Sequence, residues 1–107
     1  MEKKDKLFIS IYNDYYSGIL TEYQSSIIKM YYDEDLSLGE IAERLNITPQ
    51  GVRDALKRAE KTLIEMEQKL GLVKKSEKVK SLLEEIKDQV NEEEQKKINQ
   101  ALEILNN

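Results

Sequence analysis

The sequence predicts an all-α protein, in which a helix-turn-helix core of three or four helices without a wing precedes a C-terminal helical hairpin. Apolar residues recur at steps of three and four along most of the chain, and helix-capping signals precede these segments. The 107 residues include one Pro and four Gly, so little interrupts the helices. We expect the helix-turn-helix domain to span residues 1–72 and the hairpin to span 73–107, packed on that domain or on a second subunit.

The first predicted helix begins near Asp5 and ends near Gly18. Its apolar residues recur at helical spacing, and we expect the aromatic ones among them to line the core with their hydroxyls at its rim. The stripe consists of Leu7, Phe8, Ile11, Tyr12, Tyr15 and Ile19.

A capping box of Thr21 and Gln24 predicts the start of the second helix, which ends in the acidic turn 33–35. All six Tyr and the one Phe precede residue 33, and we expect them to line the core with the Tyr hydroxyls at its rim. A stacking platform for single-stranded nucleic acid is the alternative interpretation of this cluster. It is disfavoured because no basic residues are interleaved with the tyrosines.

The segment from Ser37 to Leu63 predicts the helix-turn-helix. Ser37 and Glu40 form a second capping box, and Asn46 suits the left-handed residue that often ends a helix. Thr48 and Pro49 then supply an N-cap and a proline at the first helical position.

The second helix of this motif is expected to continue to Gly71 with one apolar side inward. The small residue Ala42 allows the two helices to cross closely. The predicted inward side consists of Val52, Ala55, Leu56, Ala59, Leu63, Met66 and Leu70.

The C-terminal third predicts two further helices. Residues 74–76 are expected to form a short basic linker with Ser76 as the N-cap of the first, and Asn91 followed by three Glu predicts the start of the second. The apolar stripes are Val79, Leu82, Leu83, Ile86 and Val90 on one helix and Ile98, Ala101, Leu102 and Leu105 on the other.

The outward side of the helix predicted at 49–63 is the candidate binding surface. Arginine and lysine side chains there can contact guanine or phosphate, Gln can contact adenine, and the helix N-terminus near Thr48 can offer backbone amides to a phosphate. A solvated helix face is the alternative, and Asp54 lies in the middle of the surface. The candidate residues are Thr48, Gln50, Arg53, Lys57, Arg58 and Lys61.

Charge limits what this surface can do alone. The chain has a net charge of −4, and the segment 37–70 contains as many acidic as basic residues. Contact with DNA or RNA would therefore need dimerisation or an assembled partner to accumulate phosphate contacts. Binding to a protein partner requires neither dimerisation nor additional phosphate contacts.

Ile64 lies off the apolar side of its own helix and predicts a second surface. Either the hairpin covers it, or it joins the C-terminal stripes in a homodimer seam. The residues of this dimer or packing seam are Ile64, Leu82, Leu83, Ile86, Ile98 and Leu102.

Composition excludes several classes of function. The chain contains no Cys and no His, so Cys/His zinc sites and His- or Cys-based catalytic dyads are excluded. No glycine-rich phosphate loop is present. We expect no enzyme activity, no metal or other cofactor, no membrane insertion and a cytoplasmic location.

Two resemblances extend this interpretation. Residues 27–63 resemble region four of sigma factors, with Glu40-Ile41-Ala42, Leu45 and Ile47 in the first part of the motif and Val52-Arg53 and 58–63 in the second. Residues from about 7 to 72 also resemble the YlxM family of small bacterial helix-turn-helix proteins. The features of that match include Leu20-Thr21 through Gln24, Tyr31-Tyr32 and the segment 37–43.

Because YlxM proteins are encoded beside the signal recognition particle GTPase and its receptor, the resemblance implies a regulatory role in protein targeting. The implied partner is that GTPase or the RNA of the particle. A DNA-binding transcription regulator stays the alternative.

Overall fold

In the computed structural model, residues 6–106 are described, and they form six α-helices and no strand. The predicted start at Asp5 lies outside the described residues. None of the helices in 6–106 combines the length and apolarity needed to cross a bilayer. The all-α class is confirmed. The helices are α1 (Lys6–Tyr16), α2 (Glu22–Ile28), α3 (Leu38–Leu45), α4 (Pro49–Leu70), α5 (Leu72–Ile86) and α6 (Glu92–Asn106).

Two short elements follow helices α2 and α5. A π-helical turn, Lys29–Asp33, continues α2, and a 3-10 turn, Lys87–Gln89, follows α5. The chain divides into two compact units, one ending at Gly71 and the other beginning at Leu72. In the first unit α1, α2 and α3 all pack against α4, and in the second α5 packs against α6.

Helix α4 provides the central surface of the N-terminal unit. Its inward residues Val52, Leu56, Ala59 and Leu63 are completely buried, which confirms most of the predicted apolar side. Leu70 is 44% exposed, so its predicted burial was wrong. The 22 residues of α4 make it much longer than the helices of 7 to 11 residues that pack on it.

The predicted inward stripe of α1 was wrong, because the opposite side of this helix faces the core. Leu7 and Phe8 are 70% and 60% exposed, whereas Ile9, Asn13 and Tyr16 are buried. Both sides of α1 carry apolar residues, so periodicity alone did not identify the inward one.

Polar partners explain why the second side of α1 is buried. The Ser25 hydroxyl donates to Asn13 Oδ1 over 3.1 Å, and the Asn13 amide donates to the Ser25 carbonyl over 3.4 Å. The Tyr16 hydroxyl donates to Glu67 Oε1 over 2.6 Å. Buried polar atoms need such partners, and α2 and α4 supply them to this side.

The aromatic residues of the N-terminal unit divide between core and surface. Tyr16, Tyr31 and Tyr32 are buried as expected, and the last two rings meet edge to face with centroids 5.0 Å apart. Phe8 and Tyr23, which were expected to line the core, are 60% and 48% exposed.

The junction after α4 also differs from the prediction. Gly71 caps α4 in the left-handed conformation with a φ of 60°, as expected, but α5 begins at the next residue. Residues 74–76 therefore lie inside α5, and the predicted linker with Ser76 as its N-cap was wrong. One glycine with positive φ suffices to end one helix, so no longer linker is needed.

The second unit is a helical hairpin. Asn91 Oδ1 accepts from the Glu94 N–H over 2.8 Å, which confirms the predicted start of α6. Ile98 and Leu102 on α6 are buried. The predicted apolar stripe of α5 divides, because Leu83 is half-buried whereas Leu82 is 55% exposed.

Candidate functional site

The turn between α3 and α4 is short and is held by hydrogen bonds. Asn46 adopts the left-handed conformation at φ 58° and ψ 47°, which ends α3 as predicted. The Ile47 N–H donates to the Ala42 carbonyl over 3.0 Å. Ala42 is itself 4% exposed, so a small side chain stands where the two helices approach each other. These features confirm the predicted helix-turn-helix.

The first turn of α4 is held by the side chain of Thr48. Its hydroxyl oxygen accepts from the Gly51 N–H over 3.0 Å, and Pro49 occupies the first helical position. A Cβ added at Gly51 would lie 3.2 Å from that oxygen, which is a close contact. The candidate residue Thr48 therefore serves as the N-cap, a structural role that leaves its hydroxyl hydrogen available for a ligand.

Replacing Thr48 with alanine should lower the free energy of unfolding by about 1 kcal/mol, because the Gly51 N–H loses its acceptor. Thr48→Ser should retain most of this stability because it keeps the hydroxyl. Urea denaturation followed by tyrosine fluorescence measures the N-terminal unit, which contains all six tyrosines. Equal stability of the two variants would contradict the capping role.

Four cationic side chains on the outward side of α4 form what we call the basic face: Arg53, Lys57, Arg58 and Lys61. All four are exposed. Three of them follow at steps of four residues, which makes a row about 12 Å long on one side of the helix. Within residues 6–106, none of the four makes an ion pair or a side-chain hydrogen bond. Their charges are thus available to an external anion.

Gln50 and Asp54 form a pair beside this row. The Gln50 amide donates to Asp54 Oδ1 over 3.0 Å. One amide hydrogen of Gln50 is therefore occupied, and the carboxylate that interrupts the basic face has a partner within its own helix. A contact from Gln50 to a base through both its polar groups requires this hydrogen bond to open.

Two other carboxylates of α4 accept hydrogen bonds from tyrosine hydroxyls. Glu60 accepts a hydrogen bond from the buried Tyr32 hydroxyl, and Glu67 accepts one from Tyr16. Both acids therefore face the N-terminal helices, while the cations face outward. Two of the six acidic residues in the segment 37–70 are therefore engaged by tyrosines. This weakens the objection that the neutral count raised against contact with phosphates.

Sequence reasoning missed these tyrosine–glutamate pairs. A usable signal was present, because a buried Tyr needs an acceptor for its hydroxyl. Glu60 and Glu67 are seven residues apart and so lie on one side of α4. The pattern does not say which tyrosines reach them.

The six residues of the predicted dimer or packing seam occupy three environments. Ile64, Leu82 and Ile86 are 41%, 55% and 45% exposed. Leu83 is half-buried, and Ile98 and Leu102 are buried. The last two therefore act in packing, and the dimer seam stays a prediction for the exposed residues.

Several known proteins are similar to this chain in sequence. Residues 1–104 match the UPF0122 family of YlxM/p13-like helix-turn-helix proteins. A UPF0122 protein of Desulforamulus reducens is 60% identical over 79 residues, which are 73% of this chain and 68% of that protein. A second, from Caldanaerobacter subterraneus subsp. tengcongensis, is 51% identical over 84 residues, 78% of this chain and 72% of that protein.

A third relative, a UPF0122 protein of Clostridium botulinum, is 43% identical over 89 residues, which are 79% of this chain and 82% of that protein. On the family match over residues 1–104, with a helix-turn-helix present in the structure, this chain belongs to the UPF0122 family of YlxM/p13-like helix-turn-helix proteins.

Proposed function

We propose that this protein is a non-enzymatic regulator of the signal recognition particle pathway, acting in the cytoplasm by binding a partner through the basic face of α4. The observation that carries the proposal is the exposure of Arg53, Lys57 and Lys61 in one row, where residues 6–106 offer them no ion-pair partner. The resemblance to YlxM proteins suggests the pathway.

The RNA of the particle is the partner that best matches the chemistry of this face. Phosphates accept hydrogen bonds from Arg and Lys, and binding them releases counterions, which favours association at low salt. The Arg53 and Arg58 guanidinium planes can also stack on unpaired bases. The GTPase of the particle is the other partner that the resemblance implies, and an acidic surface on it would suit the same row of cations.

A DNA-binding transcription regulator is the second candidate, favoured by the geometry of the turn. In DNA-binding helix-turn-helix proteins, residues in the N-terminal part of the second helix contact base edges in the major groove. Gln50, Arg53 and Lys57 occupy that part of α4 and are exposed. The hydrogen bond between Gln50 and Asp54 weighs against direct recognition of adenine by this glutamine.

Fluorescence anisotropy with labelled particle RNA and with duplex genomic DNA, each at several salt concentrations, separates these candidates. We expect RNA binding that weakens as salt rises. The double variant Arg53→Ala/Lys57→Ala should bind about 10- to 100-fold more weakly, with a salt dependence reduced by about two ions. GTP turnover by the particle GTPase, with and without this protein, tests whether binding changes activity.

The results of these experiments distinguish the candidate functions. Binding to duplex DNA and not to the RNA would favour the transcription regulator. Ribonuclease-resistant co-purification with the GTPase, without RNA binding, would make the GTPase the partner. No binding to either partner together with unchanged GTP turnover would refute the proposed pathway.

A further inference from the structure

Six exposed polar side chains on the outward side of α4 form two parallel rows. Within each row the residues follow at steps of four, and each member of one row lies three positions after a member of the other. Residues three and four positions apart are neighbours on a helix surface, so the two rows lie side by side. They are Arg53, Lys57 and Lys61, which we call the cationic row, and Gln50, Asp54 and Arg58, which we call the mixed row.

The two rows differ in hydrogen-bonding chemistry. The cationic row presents only positive charge and donors, which suit phosphate oxygens. The mixed row also presents an amide and a carboxylate, whose oxygens are acceptors, and a phosphodiester has no hydrogen to donate to them. In RNA the donors beside the phosphates are the 2′-hydroxyls and the N–H groups of the bases. The arrangement therefore suits a strand whose phosphates lie on the cationic row and whose bases lie on the mixed row.

The carboxylate of Asp54 is oriented and still able to accept further hydrogen bonds. Lys57 and Arg58 follow it at ion-pair spacing, yet neither pairs with it within residues 6–106. Its Oδ1 accepts from the Gln50 amide over 3.0 Å, which fixes the orientation of the group. Its Oδ2 has no hydrogen-bond partner in the same range. Because a carboxylate oxygen can accept more than one hydrogen bond, both oxygens can contact a pair of donors.

Guanine is the base that offers such a pair. Its Watson–Crick edge carries two adjacent donors, the N1–H and the N2 amino group, which can contact the two carboxylate oxygens together. On the same edge, adenine, cytosine and uracil each combine a donor with an acceptor, and an acceptor repels a carboxylate oxygen. Proteins reach this edge where RNA is single-stranded, in loops, bulges and ends.

We propose that Asp54 binds the Watson–Crick edge of an unpaired guanine in RNA while the cationic row contacts the neighbouring phosphates. Gln50 is then a positioning residue that holds the carboxylate. This inference rests on the proposed function, because it takes an RNA partner as given, and it adds which part of that RNA the surface of α4 selects.

Free GTP offers the same guanine edge but fits the cationic row less well. The row is about 12 Å long. The phosphates of GTP are joined directly to one another and reach only part of it. A strand carries one phosphate per nucleotide and can contact all three cations, so we expect RNA to be the ligand.

RNA hairpins that differ in one loop base test this selection by fluorescence anisotropy. All have the same stem and a loop of uridines, with guanosine, inosine or uridine at the central position. Inosine lacks only the N2 amino group and so removes one of the two hydrogen bonds. We expect the guanosine loop to bind about 5- to 100-fold more tightly than the uridine loop, with inosine between them.

Asp54→Asn separates base recognition from charge. The asparagine keeps an oxygen for Gln50 but offers one acceptor in place of two. This variant should lose the preference for guanosine and bind the uridine loop more tightly, because one negative charge is removed. Glu103→Gln is the matched control, since it removes the same charge from an exposed position on α6 and should keep the preference. Gln50→Ala should lower the preference, because the carboxylate loses its fixed orientation.

Several results would overturn the inference. Equal affinity for the guanosine and uridine loops, with RNA binding intact, would mean that α4 contacts phosphates alone. A preference that survives in Asp54→Asn would assign guanine recognition to other residues. If Asp54→Asn instead lowers affinity for duplex DNA, the carboxylate contacts cytosine amino groups in the major groove. Competition by GTP as strong as by the unlabelled guanosine hairpin would make a free nucleotide the ligand.

Failure of the proposed function itself gives a different result. In that case none of the hairpins binds, whatever the loop base, and the RNA partner is refuted together with this inference. Circular dichroism of each variant verifies that a change in affinity does not come from unfolding.

Discussion

Replacing Leu56 with alanine is expected to lower the free energy of unfolding by about 2 to 5 kcal/mol, the range for removing a large buried aliphatic side chain. Leu56 is completely buried on α4, the helix against which α1, α2 and α3 all pack. Because a domain of this kind is stable by only about 5 to 15 kcal/mol, this single cavity removes much of its stability. The midpoint of thermal unfolding should fall by about 4 to 8 °C for each kcal/mol.

Leu70→Ala is the matched control for this prediction. It removes the same atoms from the same helix, but Leu70 is 44% exposed, so little packing is lost. Urea denaturation at one fixed protein concentration, followed by tyrosine fluorescence, compares the two variants without interference from any change in association. If Leu70→Ala lowers the free energy of unfolding as much as Leu56→Ala does, the core of the N-terminal unit lies elsewhere.

Reversing two charges of the basic face should weaken nucleic-acid binding by about 100-fold or more at low salt, because each lost phosphate contact also removes one released counterion. Lys57→Glu/Lys61→Glu is the variant. Both side chains are exposed and have no ion-pair partner among residues 6–106, so the fold should tolerate the change. The slope of log affinity against log salt should fall by about two.

Lys96→Glu/Lys97→Glu gives the matched control, since it changes the net charge of the chain by the same amount on exposed positions of α6. This control should reduce binding only slightly, through the overall charge. If both double variants lose the same affinity for nucleic acid, binding depends on the total charge of the chain and not on the basic face. Circular dichroism at the same salt concentrations confirms that both variants are folded.

Local sequence chemistry was sufficient to place the helix ends around the turn. Thr21, Ser37 and Thr48 accept hydrogen bonds from the backbone three residues later, and Asn46 and Gly71 take the left-handed conformation. Each of these features involves residues within a few positions of one another, so the pattern contains the information. The prediction of a linker at 74–76 failed because Gly71 alone ends α4.

The choice between two apolar sides of one helix was not contained in the pattern. Periodicity assigned Leu7 and Phe8 to the core, and the structure buries Asn13 and Tyr16 in their place. Hydrophobicity alone favours the first set, but the hydrogen bonds of Asn13 and Tyr16 involve residues 12 and 51 positions away in the chain. Such partners exist only once the helices are packed.

The sequence by itself determined the helical class, the capped turn and the side of α4 on which the basic residues lie, because each depends on spacing within one helix or on contacts across a few residues. Only the tertiary structure decided how much net positive charge that side of α4 presents to a partner. Glu60 and Glu67 count against the basic residues in the sequence, yet they turn toward tyrosines on other helices. A count of charges contains no distances, and electrostatic attraction depends on distance.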